Sequence, residues 1–585
     1  MAKANSDVVD RVSELPEHLL HHIMSFIPVK DAARTSLLSK RWNRIWETLP
    51  YLDFGKGFFK GCDYSQLLLE SAIKIVLSRC QHIARIEKLN FWINEISKEQ
   101  WLRKNKPLDV MVERLISCVS HRALKELYFT NLNSSYYGFF NLPCTIRSAK
   151  SLNVLHLCGF DLRTLSSLDL KFPSLRELHL SDVLLGDNVM EKIIAGCLSL
   201  EDLELYRCKG AKTIYVTGLL KLKELVVQEF DGELLEIEAP CLQVLEVSYP
   251  LFSGPDFDDM ELLEIEESDL IDLSPSCQVN VAPTTCSSLR KLALNGEFVD
   301  EEWLRHFIPQ CLFLENLTLT LGSRGEEEDV ALENVVRISS NSLKNLYLFT
   351  RSLKVEITAP NLEIFQFESC NNLLPTILLN ASDLLEVELE LRLGISHNCW
   401  CHPLAKFLEY FNHFNTVKLS GGDCWSPIEA IIISKESRLS MLSPLYGTRN
   451  LIFSFARERE FEIVELLEYM LWLSPRATTL SIEFTSREKM NAVLKLHYRG
   501  NVHKYSLCPL CKCNDCWHQS LSEVIFEKFE GNEGHRRKME GFFLKHVKDL
   551  KFEKVCCNVP NLSLPEPDPD MPCLKKHKAS KLKRI

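Results

Sequence analysis

Along roughly the first fifty residues the apolar positions fall at helical spacing. Leu19, Leu20, Ile23, Met24 and Ile27 make one stripe. Pro16 predicts the start of that helix, because a proline in a first turn gives up no needed N–H, and Pro28 predicts its end. A second helix is predicted from Lys30 or Asp31 through Leu37 and Leu38. Ser39 is placed to cap a third that carries Trp42, Ile45 and Trp46. Three helices in about 45 residues bury little, and the stripe on the first is too broad for the module to cover by itself. The pattern predicts a docking module.

From residue 86 the period changes. Ile86, Leu89 and Phe91 stand at i, i+3 and i+5, and the spacing returns from Leu124, Leu152, Leu175, Leu200, Leu222, Leu242, Leu289, Leu314, Leu343, Leu362, Leu384 and Phe414. Most intervals lie between 19 and 30 residues, and the one of 47 between Leu242 and Leu289 leaves room for a degenerate unit near Leu262. Such a period predicts a leucine-rich-repeat solenoid, each unit giving one short parallel strand with its fourth and sixth motif residues turned inward. The return at 187–195 is predicted helical and stopped by Gly196, whereas the period-two runs before Pro240 and Pro360 predict extended returns. Helices are also predicted at 66–80 and 108–119.

The residue between the two inward positions faces out, so a row running from Asn90 to Lys418 should line the concave surface. Tyr128, His156, His179, Glu204, Glu246 and Tyr347 are its expected contacts with a target protein. The row holds no basic cluster, and the whole chain carries a net charge of −11, so nucleic acid and polyphosphate cofactors are not expected. No run of about 18 apolar residues is present, which predicts neither secretion nor a membrane span and places the chain in nucleus or cytoplasm. There, the 22 cysteines should be mostly reduced thiols, many acting as small apolar residues inside the repeats.

Four stretches stand outside the repeat pattern. Residues 255–272 hold nine carboxylates without a Lys or Arg, as does the shorter EEED at 326–329 on a smaller scale; both read as solvated loops. Cys508, Cys511, Cys513 and Cys516 form two CxxC pairs with zinc-like ligand chemistry, but one residue between the pairs is too short for an ordinary tetrahedral knuckle, so no metal is expected. The last residues, 559–585, are rich in proline and then basic, which predicts disorder and leaves a nuclear localisation signal open at 575–584. No Gly-rich phosphate loop, HExxH or GxSxG occurs, so neither catalysis nor a cofactor is expected.

Leu15-Pro16, the LL..I pattern at 19–23, SLLSKRW at 36–42 and Trp46 together resemble an F-box. The I.AP.L punctuation of LEIEAPCLQVLEV and VEITAPNLEIFQF resembles plant F-box proteins with leucine-rich repeats. The strand, helix and strand expected at 521–526, 533–546 and 547–552, behind Cys516-Trp517, resemble their FBD-type C-terminal module. The resemblance implies an α/β chain: an F-box over 8–54, a helical linker and first repeat over 55–120, and an irregular solenoid over 121–425 with parallel strands on its concave face. Terminal repeats or a cap over 426–500, a small α+β module over 501–558 and the tail complete it. It also implies adaptor contacts from Leu15, Pro16, Leu19, Leu20, Ile23, Leu37, Leu38 and Trp42 to a Skp-type adaptor of a cullin-RING ubiquitin ligase. The chain would then be a non-catalytic receptor that presents an unnamed target for ubiquitination. A small-molecule receptor within the same ligase and a ligase-independent scaffold or decoy are the alternatives.

Overall fold

The computed structural model describes residue 12 and most of residues 14–552. Outside the described residues lie 1–11, 13, 56–57, 59–64, 83–84, 94–106, 133–137, 166–169, 249–276, 297–300, 322–331, 351, 370–373, 392–400, 422–431, 456–462, 485–489, 500–516, 547–548 and 553–585. The acidic stretches at 255–272 and 326–329, the four cysteines at 508–516 and the basic tail are among these.

Helices α1 (Glu17–Ser25), α2 (Val29–Thr35) and α3 (Lys40–Thr48) follow the N-terminal pattern closely. Pro16 and Pro28 occupy the N-caps of α1 and α2, and the Ser39 side chain caps α3 by accepting from the Trp42 N–H at 3.2 Å. Strand Tyr51–Phe54 begins almost where α3 ends and pairs in parallel with Lys88–Ile93. Its alternation puts Leu52 and Phe54 inside the solenoid core. Trp46 packs against both that core and the mini-core of the three helices. The helical module is therefore fastened to the first coil of the solenoid, where the sequence suggested an intervening linker.

Nineteen described strands form one long sheet. From Tyr51–Phe54 to Thr479–Phe484 every neighbouring pair is parallel. Inward leucines and phenylalanines from successive coils stack into one continuous core. Strand Val244–Ser248 pairs directly with Lys291–Gly296. No described strand comes between them in this sheet, and Leu262, near which a degenerate unit was expected, lies outside the described residues. The two proline-punctuated returns are extended: Leu234–Glu238 and Ser352–Thr358 are the central strands of two three-stranded parallel sheets on the convex side.

The return at Asp187–Gly196 is the expected helix. A Cβ added at Gly196 would lie 1.8 Å from the Leu170 carbonyl oxygen, a backbone atom that cannot rotate away. Gly196→Ala is expected to cost about 1–3 kcal/mol, read as a lower urea midpoint with an unchanged slope.

At the far end the sheet turns antiparallel. Met490–Tyr498 pairs with Thr479–Phe484 and then with Leu521–Glu530, and Asp549–Phe552 adds in parallel. With helix Glu533–His546 these strands extend the solenoid sheet and share its core through Val524, Phe526, Met539 and Phe543. The expected strand-helix-strand order is present, as the closing layer of the solenoid.

Candidate docking surfaces

Two apolar stripes run along α1. Leu20, Met24 and Ile27 turn inward onto Ala32, Trp42, Ile45 and Leu49 and make the mini-core. Leu19, Ile23 and Phe26, spaced i, i+4 and i+7, turn outward, and Phe26 is 77% exposed. Leu37 and Leu38, in the turn after α2, are 86% and 70% exposed. Five large apolar side chains exposed in a module this small make a candidate contact surface. Arg41 ties the module's N-terminal approach down by donating to the Leu15 carbonyl oxygen, and Leu15 is half-buried beside the mini-core.

Two residues expected to touch an adaptor do not face outward. Leu20 is 0% and Trp42 9% exposed, because α1 and α3 need them to fill the space between the helices. They shape the surface from beneath. Pro16, Leu19, Ile23, Leu37 and Leu38 do face solvent. Phe26 joins them; its i, i+4, i+7 relation to Leu19 and Ile23 was the available signal, and the motif did not include it.

On the concave side, parallel register places Asn90, Tyr128, His156, His179 and Glu204 directly beside one another. The same row continues through Glu246 and Tyr347 to Lys418. The side chains use that adjacency. Tyr128 meets His156 edge to face at 4.6 Å between centroids, and His156 stacks on His179 at 3.9 Å and 13°. His179 then contacts two carboxylates, Nδ1 at 3.0 Å from Glu204 and Nε2 at 3.3 Å from Asp202. Glu246 is paired with Lys291, and the Tyr347 hydroxyl donates to the buried Glu368. The row is pre-organised, and Glu204, Glu246 and Tyr347 are less free than an isolated surface position.

The F-box domain family matches residues 12–53, and the LRR repeats of FBD-associated F-box protein At5g56370 match residues 112–261. An F-box at the N-terminus is thus followed by leucine-rich repeats. Among curated Arabidopsis thaliana proteins, F-box/FBD/LRR-repeat protein At5g56420 is 32% identical over 236 residues, covering 38% of this chain and 51% of that protein. F-box/FBD/LRR-repeat protein At1g78750 is 29% identical over 255 residues, covering 41% and 53%. The chain thus spans about half the length of the curated relatives it matches.

The F-box match ends at residue 53, inside the first solenoid strand, so F-box and repeats are continuous in sequence and in packing. Among the described residues no group of His, Cys, Asp and Glu is arranged to hold a metal ion.

Burial and the neighbouring carboxylates shift the two histidines in opposite directions. Burial, reinforced by His179, pushes His156 down to about 4. Burial also disfavours charge on His179, but Asp202, Glu204 and Glu177 outweigh it and hold its pKa above the ordinary 6.5. The signs follow. His179 contributes stability that is present below pH 6.5 and lost as pH rises through its folded pKa, whereas His156 costs stability as pH falls from 6.5 toward 4. In an NMR titration of the imidazole carbons, His179 is expected to titrate above 6.5 and His156 near 4; a shared midpoint at 6.5 would contradict the burial of His156 and the carboxylate contacts of His179.

Proposed function

We propose that this chain is the substrate-recognition subunit of a Skp-cullin-F-box ubiquitin ligase. The observation that carries the reading is the outward apolar face of the F-box, led by Phe26, Leu37 and Leu38, which are largely exposed among the described residues. A Skp-type adaptor would bury it and so complete a core too small to be self-sufficient. The repeats would hold the target on the concave row. The chain breaks and forms no bonds; it contributes proximity, raising the effective concentration of target lysines beside a ubiquitin-charged enzyme.

Fusion to the solenoid supports this division of labour. Strand Tyr51–Phe54 and Trp46 tie the F-box to the first coil, so a docked adaptor and a held target keep a fixed separation. Affinity capture of the full chain tests the reading. Adaptor and cullin should co-purify with it, and additional proteins should accumulate on it when the proteasome is inhibited. Absence of adaptor from the captured material would overturn it.

A further inference from the structure

Repeat spacing puts a cysteine at the same place in two successive coils. Cys286 begins CSSL at 286–289 and Cys311 begins CLFL at 311–314, each leading into adjacent parallel strands on which Leu292 and Leu317 are register partners. Cys286 lies in the short 3-10 turn Pro283–Ser287 and Cys311 directly follows the turn Ile308–Gln310, and the two turns pack on each other. Parallel strands repeat at about 4.8 Å, inside the Cα separation of about 4.4–6.8 Å that a disulfide spans. The equivalent places in the flanking coils hold Ala239 and Ser340, so this column carries two sulfurs and no third.

The two sulfurs are already in contact. A hydrogen bond between them favours the Cys286 thiolate, lowering its pKa from the ordinary value, and holds the proton on Cys311. Both side chains are almost wholly buried, and Cys311 Sγ also lies 3.6 Å from the Phe307 carbonyl oxygen. Cys197 shows the ordinary use of a cysteine at this place. It stands between Phe172 and Leu219 in its neighbouring coils, and burial pushes its thiol up to about 12. A second thiol pair, Cys80 and Cys118, joins helices Ser65–His82 and Pro107–Ser120, but there burial pushes Cys80 up to about 12.

We propose that Cys286 and Cys311 are a modification site, a thiol pair that hydrogen peroxide oxidises to a disulfide, stapling two successive coils of the solenoid. The Cys286 thiolate attacks one peroxide oxygen and breaks the O–O bond, giving a sulfenic acid and a hydroxide that is protonated to water. The Cys311 sulfur then attacks the sulfenic sulfur. An S–S bond forms, the S–O bond breaks, and the departing hydroxyl takes the Cys311 proton and leaves as a second water. The two sulfurs together lose two electrons and the peroxide gains them. Peroxide is little larger than water, so burial of the pair selects it over bulky oxidants, and a sulfenic acid enclosed beside a thiol condenses with it before a second peroxide arrives.

Peroxide treatment of the folded full chain, followed by mass spectrometry of nonreduced digests, tests the proposal. Fragmentation is expected to place a bond between Cys286 and Cys311, and not at Cys241 or Cys277. In the linked chain, hydrogen exchange across strands Lys291–Gly296 and Asn316–Leu321 should slow by about tenfold or more, because neither coil can then open alone. Cys286→Ala should prevent both changes, and Cys241→Ala, at an exposed position, should prevent neither. The parent chain decides the matter even where Cys286→Ala lowers the urea midpoint, since its linkage is read without any substitution. Two intact thiols at a peroxide dose that oxidises Cys241, a bond that forms only in urea, Cys286 joined to another cysteine, or unchanged exchange in the linked chain would each overturn the proposal.

Discussion

Leu37→Asp combined with Leu38→Asp is expected to abolish capture of a Skp-type adaptor while changing the stability of the free chain by less than about 0.5 kcal/mol. Both side chains are mostly exposed, so the free protein loses almost no buried surface. In a complex the two carboxylates would be buried without partners. That costs several kcal/mol each, and every 1.4 kcal/mol is tenfold in affinity. Leu20→Ala should also weaken capture, but by another route. Leu20 is fully buried in a mini-core of a few side chains, so the change is expected to cost about 2–5 kcal/mol of folding stability. Adaptor pull-down run beside urea unfolding distinguishes them: capture lost at constant stability for the aspartates, capture and module stability lost together for Leu20→Ala. If the aspartate variant binds normally, the exposed leucines are not the docking surface.

The second large effect lies in the first coils. Phe54, Phe91 and Phe129 stack in sequence at 4.7 and 5.6 Å, and Phe160 meets Phe129 edge to face at 5.4 Å. Phe129 is fully buried at the centre of this column. Phe129→Ala is expected to cost about 3–5 kcal/mol, combining lost transfer energy with a cavity among rings that cannot all close in. Each coil of a solenoid touches only its neighbours, so the loss should be local. Hydrogen exchange should accelerate across strands Lys88–Ile93 to Val154–Cys158 and stay unchanged across Asn345–Thr350 to Thr479–Phe484. Uniform acceleration along the chain would show that the solenoid unfolds as one unit.

How much of this was readable from sequence follows from how local each feature is. An i, i+3, i+5 motif fixes which strand residues turn inward, so once the coils stack in parallel the whole outward row from Asn90 to Lys418 falls into register. Capping was equally local: Pro16, Pro28, Ser39 and Gly196 each mark an end through their own backbone chemistry. What depends on distant partners was less accessible. Leu19 and Leu20 are adjacent and equally apolar, and only the packing of α3 decides that Leu20 goes in and Leu19 out. Strands Leu521–Glu530 and Asp549–Phe552 could be located but not joined to the solenoid, because their pairing reaches through Met490–Tyr498 to a sheet built earlier in the chain. The carboxylate pairing of His179 and the burial of His156 between Tyr128 and His179 likewise needed the register of neighbouring coils before any charge could be assigned.

Hydrogen exchange of the full chain with and without a purified Skp-type adaptor tests the central claim most directly. The account predicts a stoichiometric complex in which α1, α2 and the turn carrying Leu37 and Leu38 become protected, while the concave strands from Glu126–Asn131 to Val244–Ser248 exchange as before and remain open for a target. Absence of a complex, or protection of the concave strands in place of the F-box helices, would contradict it.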